Sequence, residues 1–248
     1  MGFNGKFTDQ NRPDLSLVIL CYKAREYTRD FVVKVIEVLE KYNIHDYELI
    51  LVGNYIEGTG DTTPQVVEEL SKQYPKVFHV AKPKKGMMGW DMKSGFEKAR
   101  GNYIAVIDGD GQMPIFDIIR VYHKIREENL DMVKTVRLVR GDGVLRRFIS
   151  FVYNLFARSF FPGIAGRDIN AKPKIFRRKV FEKFNLTSDD WFIDAEIMIH
   201  ARRHKIEVRE IPTEFLGLVG RRSFISLKIS LEFIKNLIVH RWREFFRK

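Results

Sequence analysis

The chain has 248 residues, 45% of them hydrophobic, with one cysteine and a formal net charge of +11. That apolar content supports one substantial core and excludes intrinsic disorder, while a lone Cys21 excludes a disulfide framework or a thiolate zinc cluster. No stretch approaches the ~20 apolar residues of a membrane-spanning helix, and residues 1–14 lack the basic-then-apolar order of a secretory signal, so a cytoplasmic, reducing location is expected.

In chain order, the first half alternates short β-branched runs with amphipathic ones. Leu15 to Tyr22 predicts a strand, and Tyr27 to Tyr42 a helix with Phe31, Val35, Val38 and Leu39 on one face. A strand over Tyr47 to Gly53, a helix over Pro64 to Tyr74 and a strand over Val77 to Ala81 follow. Gly86 and Gly89 precede a helix predicted from Gly89 to Arg100. This G-x-x-G is either an ordinary tight turn or a helix entrance whose exposed N–H groups attract phosphate or hydroxyl oxygens. The next strand, Tyr103 to Asp108, ends abruptly in Asp108-Gly109-Asp110. Ligands of open α/β sheets lie outside the carboxyl ends of the strands. Two carboxylates around one glycine can therefore share a hard divalent cation that grips a diphosphate. The competing reading is an acidic turn in which Asp110 or Gln112 caps a helix opened by Pro114. The βαβ series predicts a mostly parallel sheet.

The second half is looser. Val144 to Phe161 predicts a helix mixing Arg146, Arg147 and Arg158 with Phe148, Phe151, Tyr153, Phe156 and Phe160, and Ile193 to His204 another, after the acidic turn Ser188 to Trp191. Asp194 and Glu196, near the start of that helix, are either partners of its dipole or carboxylates that orient or deprotonate an acceptor. A short strand over Glu207 to Pro212 leads to a glycine loop with Arg221, Arg222 and Ser223, suited to a diphosphate or simply a solvated basic turn. Residues 224–248 form a basic amphipathic tail helix, which either lies at a membrane interface or covers the sheet; residues 1–223 form the domain before it. Residues 1–136 hold 19 Lys and Arg against 20 Asp and Glu, and residues 137–248 hold 24 against 12. The whole excess lies in the second half, which suits nucleic acid, an anionic membrane surface or phosphorylated substrates, or else a solvated basic surface. The six histidines are scattered, and His200 with His204 lacks a third ligand for zinc. A Ser-His-Asp hydrolase is unsupported, there being no G-x-S-x-G.

The order of these features resembles family 2 glycosyltransferases of the GT-A fold, close to the dolichyl-phosphate mannosyltransferase and polyprenyl-phosphate glycosyltransferase branch. The segments that carry the likeness are Gly86 to Gly101, Val106 to Pro114, Asp168 to Phe176, Trp191 to Glu196, Glu210 to Phe215 and Gly220 to Ser223. The resemblance implies an inverting transfer from a GDP- or UDP-sugar to a polyprenyl phosphate, with Mn2+ or Mg2+ as cofactor. It implies Asp108 and Asp110 as metal and diphosphate carboxylates, Gln112 beside donor or acceptor, and Asp168 beside the donor sugar. Arg137 and Arg147 would hold the acceptor phosphate, Arg221, Arg222 and Ser223 would close on phosphates, and Glu196, with Asp194, would sit near the acceptor. An anionic membrane surface and a separate membrane subunit are the implied partners, with no nucleic acid. The chain departs from the family where Leu20 to Ala24 and Gly53 to Ile56 stand in place of two base-binding motifs, leaving Tyr22 and Asn54 to meet the base. Rival readings are a transferase for a soluble saccharide or protein acceptor, and a non-catalytic basic binding module. A sugar-nucleotide pyrophosphorylase would need a glycine-rich loop after the first strand, and Leu20 to Arg25 has no glycine.

Overall fold

A computed structural model describes residues 12–140, 144–215 and 227–246. It opens with an unbroken alternation of β1 (Leu15–Leu20), α1 (Tyr27–Lys41), β2 (Tyr47–Val52), α2 (Thr63–Gln73), β3 (Val77–Val80), α3 (Met88–Phe96) and β4 (Tyr103–Asp108). The chain continues through α4 (Phe116–Glu127), β5 (Met132–Arg140), α5 (Val144–Phe160), β6 (Lys174–Arg177), α6 (Arg178–Phe181), α7 (Ile193–Arg203), β7 (Val208–Phe215) and α8 (Leu227–Phe245). The described strands make one sheet in the order β3-β2-β1-β4-β6-β5-β7. It is parallel except at β6, which runs antiparallel to both β4 and β5. The expected α/β architecture is the one observed.

Because β1, β2 and β4 are covered on both faces, their sequences are nearly continuous apolar runs. Leu15, Leu17 and Ile19 of β1, with Ala105 and Ile107 of β4, enter one core layer with Phe31 and Leu39 of α1, Val67 of α2 and Ile125 of α4. Val18, Ile104 and Val106, one residue out of phase, enter the opposite layer with Phe96 of α3, Ile197 of α7 and Phe233 and Leu237 of α8. Fully burying each Leu, Ile, Val or Phe among them is worth roughly 1.5–3 kcal/mol.

Register then fixes where the chemistry lies. Leu20 pairs with Val52 on one side and Asp108 on the other, and Val52 with Val80, so four strands end level and their following loops share one rim. The antiparallel β6 places Lys174 beside Val106 and Lys134, so the residues entering β6, including Lys172, arrive at that same rim.

Several boundaries differ from the sequence pattern. Strand β7 runs on to Phe215 instead of stopping at Pro212, because it is an edge strand where proline need not donate to a ladder. Helix α3 ends at Phe96, four residues short of Arg100. Helix α4 begins after Ile115 with no side-chain cap, so neither Asp110 nor Gln112 caps it. The tail helix is docked as well as amphipathic. Phe233 and Leu237 are buried, Phe233 stacks on Tyr153 at 3.6 Å, and Glu244 accepts from Arg202 at 2.9 Å. Ile238 and Trp242 of this helix and Phe246 just beyond it are exposed, as are Phe151, Leu155 and Phe156 of α5. Among the described residues no helix is long and apolar enough to cross a membrane.

Candidate active site

The acid rim forms where β4 runs out of apolar residues. Gly109 N–H still donates to Leu20 O at 2.9 Å, keeping the turn against β1, and a Cβ on Gly109 would press on Ile19 and Leu20. Gly111 then takes a φ of +73°, and a Cβ there would collide with the Tyr27 hydroxyl, a conformation and a clearance that call for glycine. Between them Asp110 accepts the Gln112 N–H at 3.0 Å, a local turn bond in place of a helix cap. Asp108 and Asp110 are both part-exposed.

Behind the rim lies a cluster of buried lysines. Lys172 Nζ is 3.0 Å from Asp194 Oδ2 and 3.4 Å from Asp108 Oδ2, and Lys174 pairs with the other oxygen of Asp194. Burial works against the charge on Lys172, but Asp108 and Asp194 outweigh it and its pKa is raised. Burial likewise opposes the Asp194 carboxylate, yet the two lysines hold its pKa below the usual range. Lys174, fully buried, is pushed down to about 7 by desolvation. Further along, Lys134 Nζ donates to Glu210 at 2.9 Å and to Thr135 O at 2.8 Å. Glu210 in turn accepts the Arg167 N–H at 2.8 Å, and Arg137 grips Asp168 with a two-pronged contact at 2.6 and 2.8 Å. Arg137 and Asp168, expected to meet acceptor phosphate and donor sugar, thus form a rigid pair beside the rim.

Other expected residues have different surroundings from those the sequence suggests. Asn54 is fully buried and both ends of its amide are in use. Its Oδ1 accepts the Lys82 N–H at 3.0 Å and its Nδ2 donates to Asp91 at 2.9 Å, which makes it part of the packing between β2 and α3. Asp91 also pairs with Lys84, whose ammonium lies 4.1 Å from the centre of the Tyr22 ring. Burial shifts Asp91 up and Lys84 down, each against the pull of the other. Tyr22 therefore remains at the rim, backed by a buried ion pair that sequence reading missed.

Gly86 and Gly89 are packing glycines. A Cβ on Gly86 would lie 2.6 Å from Asp189 O, and one on Gly89 2.4 Å from Ser188 O. The N–H groups of Met87, Gly89 and Trp90 donate to the carbonyls of Asp189 and Asp190, so they are occupied by protein and do not offer a phosphate cradle. Glu196 holds that same loop, accepting from the N–H groups of Thr187 and Ser188 at 2.9 Å and the Thr187 hydroxyl at 2.8 Å. Asp194 and Glu196 are thus buried and hydrogen-bonded to internal partners. Arg221, Arg222 and Ser223 lie outside the described residues, as does the side chain of Arg147.

Asp108 and Asp110 fit a Mg2+ or Mn2+ ion in donor chemistry, since both present hard carboxylate oxygens at an open rim. Among the described residues no group of three or more His, Cys, Asp or Glu side chains could hold a metal. Such an ion would therefore complete its shell from diphosphate and water oxygens, the usual habit of Mg2+. His200 and His204 stack on each other and against Phe184, an aromatic packing arrangement. A cavity of about 400 Å3 lined by Asp46, Glu48, Lys76 and Arg100 opens at the opposite end of the strands, away from this chemistry.

Comparison with known proteins bears on the family and the fold. The chain is 27% identical over 247 residues to the dolichyl-phosphate beta-glucosyltransferase ALG5A of Trichomonas vaginalis, covering 92% of this chain and 74% of that protein. It is 24% identical over 252 residues to ALG5D of the same organism, covering 94% and 76%. Among solved structures, glucosyl-3-phosphoglycerate synthase from Mycobacterium tuberculosis in complex with UDP superposes with a TM-score of 0.65 at 14% identity, over 92% of this chain and 80% of that one. The mannosyltransferase PcManGT from Pyrobaculum calidifontis, in complex with GDP-Man and Mn2+, gives 0.62 at 15% identity, over 96% and 66%. These two likenesses speak to the fold. The model of glycosyl transferase family 2 matches residues 16–184, and with an acid rim on a sheet of this topology, the chain belongs to that family.

Proposed function

We propose that this protein transfers a sugar from a nucleotide-diphosphate sugar to a polyprenyl phosphate at the cytoplasmic face of a membrane, with inversion at the anomeric carbon. The observation that carries the reading is the pair Asp108 and Asp110 at the end of β4, part-exposed and level with the loop that carries Tyr22. The names of the two relatives, dolichyl-phosphate beta-glucosyltransferases, make glucose the first sugar to assay. Asp108 and Asp110 would hold a divalent cation, whose chemistry there is to neutralise charge on the departing diphosphate.

The protein's own groups do the rest by placement. Tyr22 offers a ring face to the base, and Lys84 beneath it fixes that ring. Arg137, locked by Asp168, presents a guanidinium to the acceptor phosphate without first losing side-chain freedom. A phosphate acceptor is already an anionic nucleophile, so it needs orientation more than a base. This agrees with Asp194 and Glu196 both being committed to internal partners. Arg147, Arg221, Arg222 and Ser223 complete the phosphate contacts in this reading. The lipid of the acceptor is favoured over a soluble saccharide by the exposed aromatic side chains of α5 and α8.

The test is transfer from UDP-glucose, and in parallel GDP-mannose, to dolichyl phosphate in detergent with Mn2+ or Mg2+. Asp110→Ala is expected to lower turnover by about 10²–10³-fold with an unchanged circular dichroism spectrum. Undiminished turnover in that variant removes the role of the rim.

A further inference from the structure

Lysine is almost never fully buried unless paired, and Lys172 is paired in an unusual way. Its side chain is 3% exposed and its ammonium bridges an internal carboxylate and a rim carboxylate, Asp194 at 3.0 Å and Asp108 at 3.4 Å. The Met88 sulfur, at 3.3 Å, is a third neighbour and carries no charge. Asp194 divides its single negative charge between Lys172 and Lys174, so it does not fully neutralise Lys172. Asp108, 35% exposed, therefore faces solvent on one side and a fixed positive charge on the other.

We propose that Lys172 is a positioning residue that keeps the rim's affinity for a bare divalent cation low. A cation seated on Asp108 lies within a few ångströms of the ammonium, and in a partly desolvated site like charges at that range repel by kilocalories. Asp110 is a further carboxylate at the rim, and among the described residues no group of three or more such ligands offsets the repulsion. A nucleotide diphosphate reverses the balance, because its negative charge faces both the ion and Lys172. On the donor reading given above, on which this step rests, the cation then loads together with the nucleotide, and each raises the other's affinity by the same factor.

The experiment is a titration with MnCl2 followed by electron paramagnetic resonance, which reads free Mn2+ and needs no turnover. It is run on the full chain and on Lys172→Met and Lys172→Arg, each alone, with UDP and with GDP. Lys172→Met keeps the length of the side chain and leaves Asp194 paired with Lys174. It is expected to tighten binding of bare Mn2+ by about tenfold and to shrink the effect of nucleotide, whereas Lys172→Arg retains the native values. A residue of purely structural importance would weaken both affinities. Unchanged or weaker binding of bare Mn2+ in a Lys172→Met protein with native circular dichroism overturns the proposal. So does a native protein that binds bare Mn2+ at low micromolar concentration, a result that needs no variant to fold. If Lys172→Met tightens bare Mn2+ while neither nucleotide alters it in any of the proteins, the restraint by Lys172 stands and the nucleotide-donor reading is what fails.

Discussion

Asn54 and Cys21 are decided by their immediate partners. The Asn54 amide joins Lys82, at the start of the loop after β3, to Asp91 in α3. Asn54→Ala leaves a buried carboxylate oxygen and a backbone N–H unmatched, at a cost of roughly 1–3 kcal/mol. The expected result is a lower melting temperature with the preference between UDP and GDP unchanged; altered preference would return Asn54 to the base. Burial pushes the Cys21 thiol up to about 12, so at pH 8 it carries almost no thiolate. Native protein is expected to leave a thiol reagent such as DTNB unreacted, with one equivalent consumed after guanidinium is added. The two rim acids were legible because an apolar run stopping dead at Asp108 is a local signal. Lys172 and Lys174 were not, since a lysine in sequence reads as solvated surface. Only the reversed direction of β6, a long-range fact, carries them inside.

Elements show the same division between local and distant causes. The β1-to-β4 series was readable from its periods, and its registers follow from burial of both faces. Strand β5 was not, because Lys134 and Arg137 interrupt its apolar residues and their partners come from 31 to 76 positions away. Strand β6 has only Ile175 and Phe176 between basic residues, too short a run to announce itself. The glycines before α3 were seen with two readings open, and the tight turn is the one with contacts behind it: the N–H groups there donate to protein carbonyls at 189–190, partners about 100 positions away that no local pattern announces. At Gly89 an added Cβ meets backbone at 2.4 Å, so Gly89→Ala must push the 188–190 loop aside, costing roughly 1–3 kcal/mol. A drop in melting temperature on that scale checks it, whether or not nucleotide is present.

For the whole molecule, charge and exposed aromatics act together. The basic second half and the exposed Trp242 and Phe246, at 63% and 75%, suit an anionic bilayer surface. Vesicles containing phosphatidylserine are expected to sediment the chain, less so at high salt and several-fold less for Trp242→Glu. If the unaltered chain stays in the supernatant, direct attachment to the bilayer fails. Acid sensitivity is also a property of the fold. Burial depresses His200 to about 4, so as pH falls below about 6.5 the unfolded chain takes up its proton first. Stability is full above that pH and declines down to about pH 4, by at most on the order of 3 kcal/mol from this group. Denaturant midpoints across that range should fall for the native protein and flatten in His200→Phe.

The Asn236 amide donates to the Asp190 side chain, while the Asp190 main-chain carbonyl receives the Gly89 N–H. Asp190 thus splices the tail helix to the first turn of α3, so a force that tilts that helix is passed to the backbone at Gly89. Cutting the chain at 226 should speed amide hydrogen exchange in Gly89 to Asp91, far from the cut, and unchanged exchange there would show the splice to be slack.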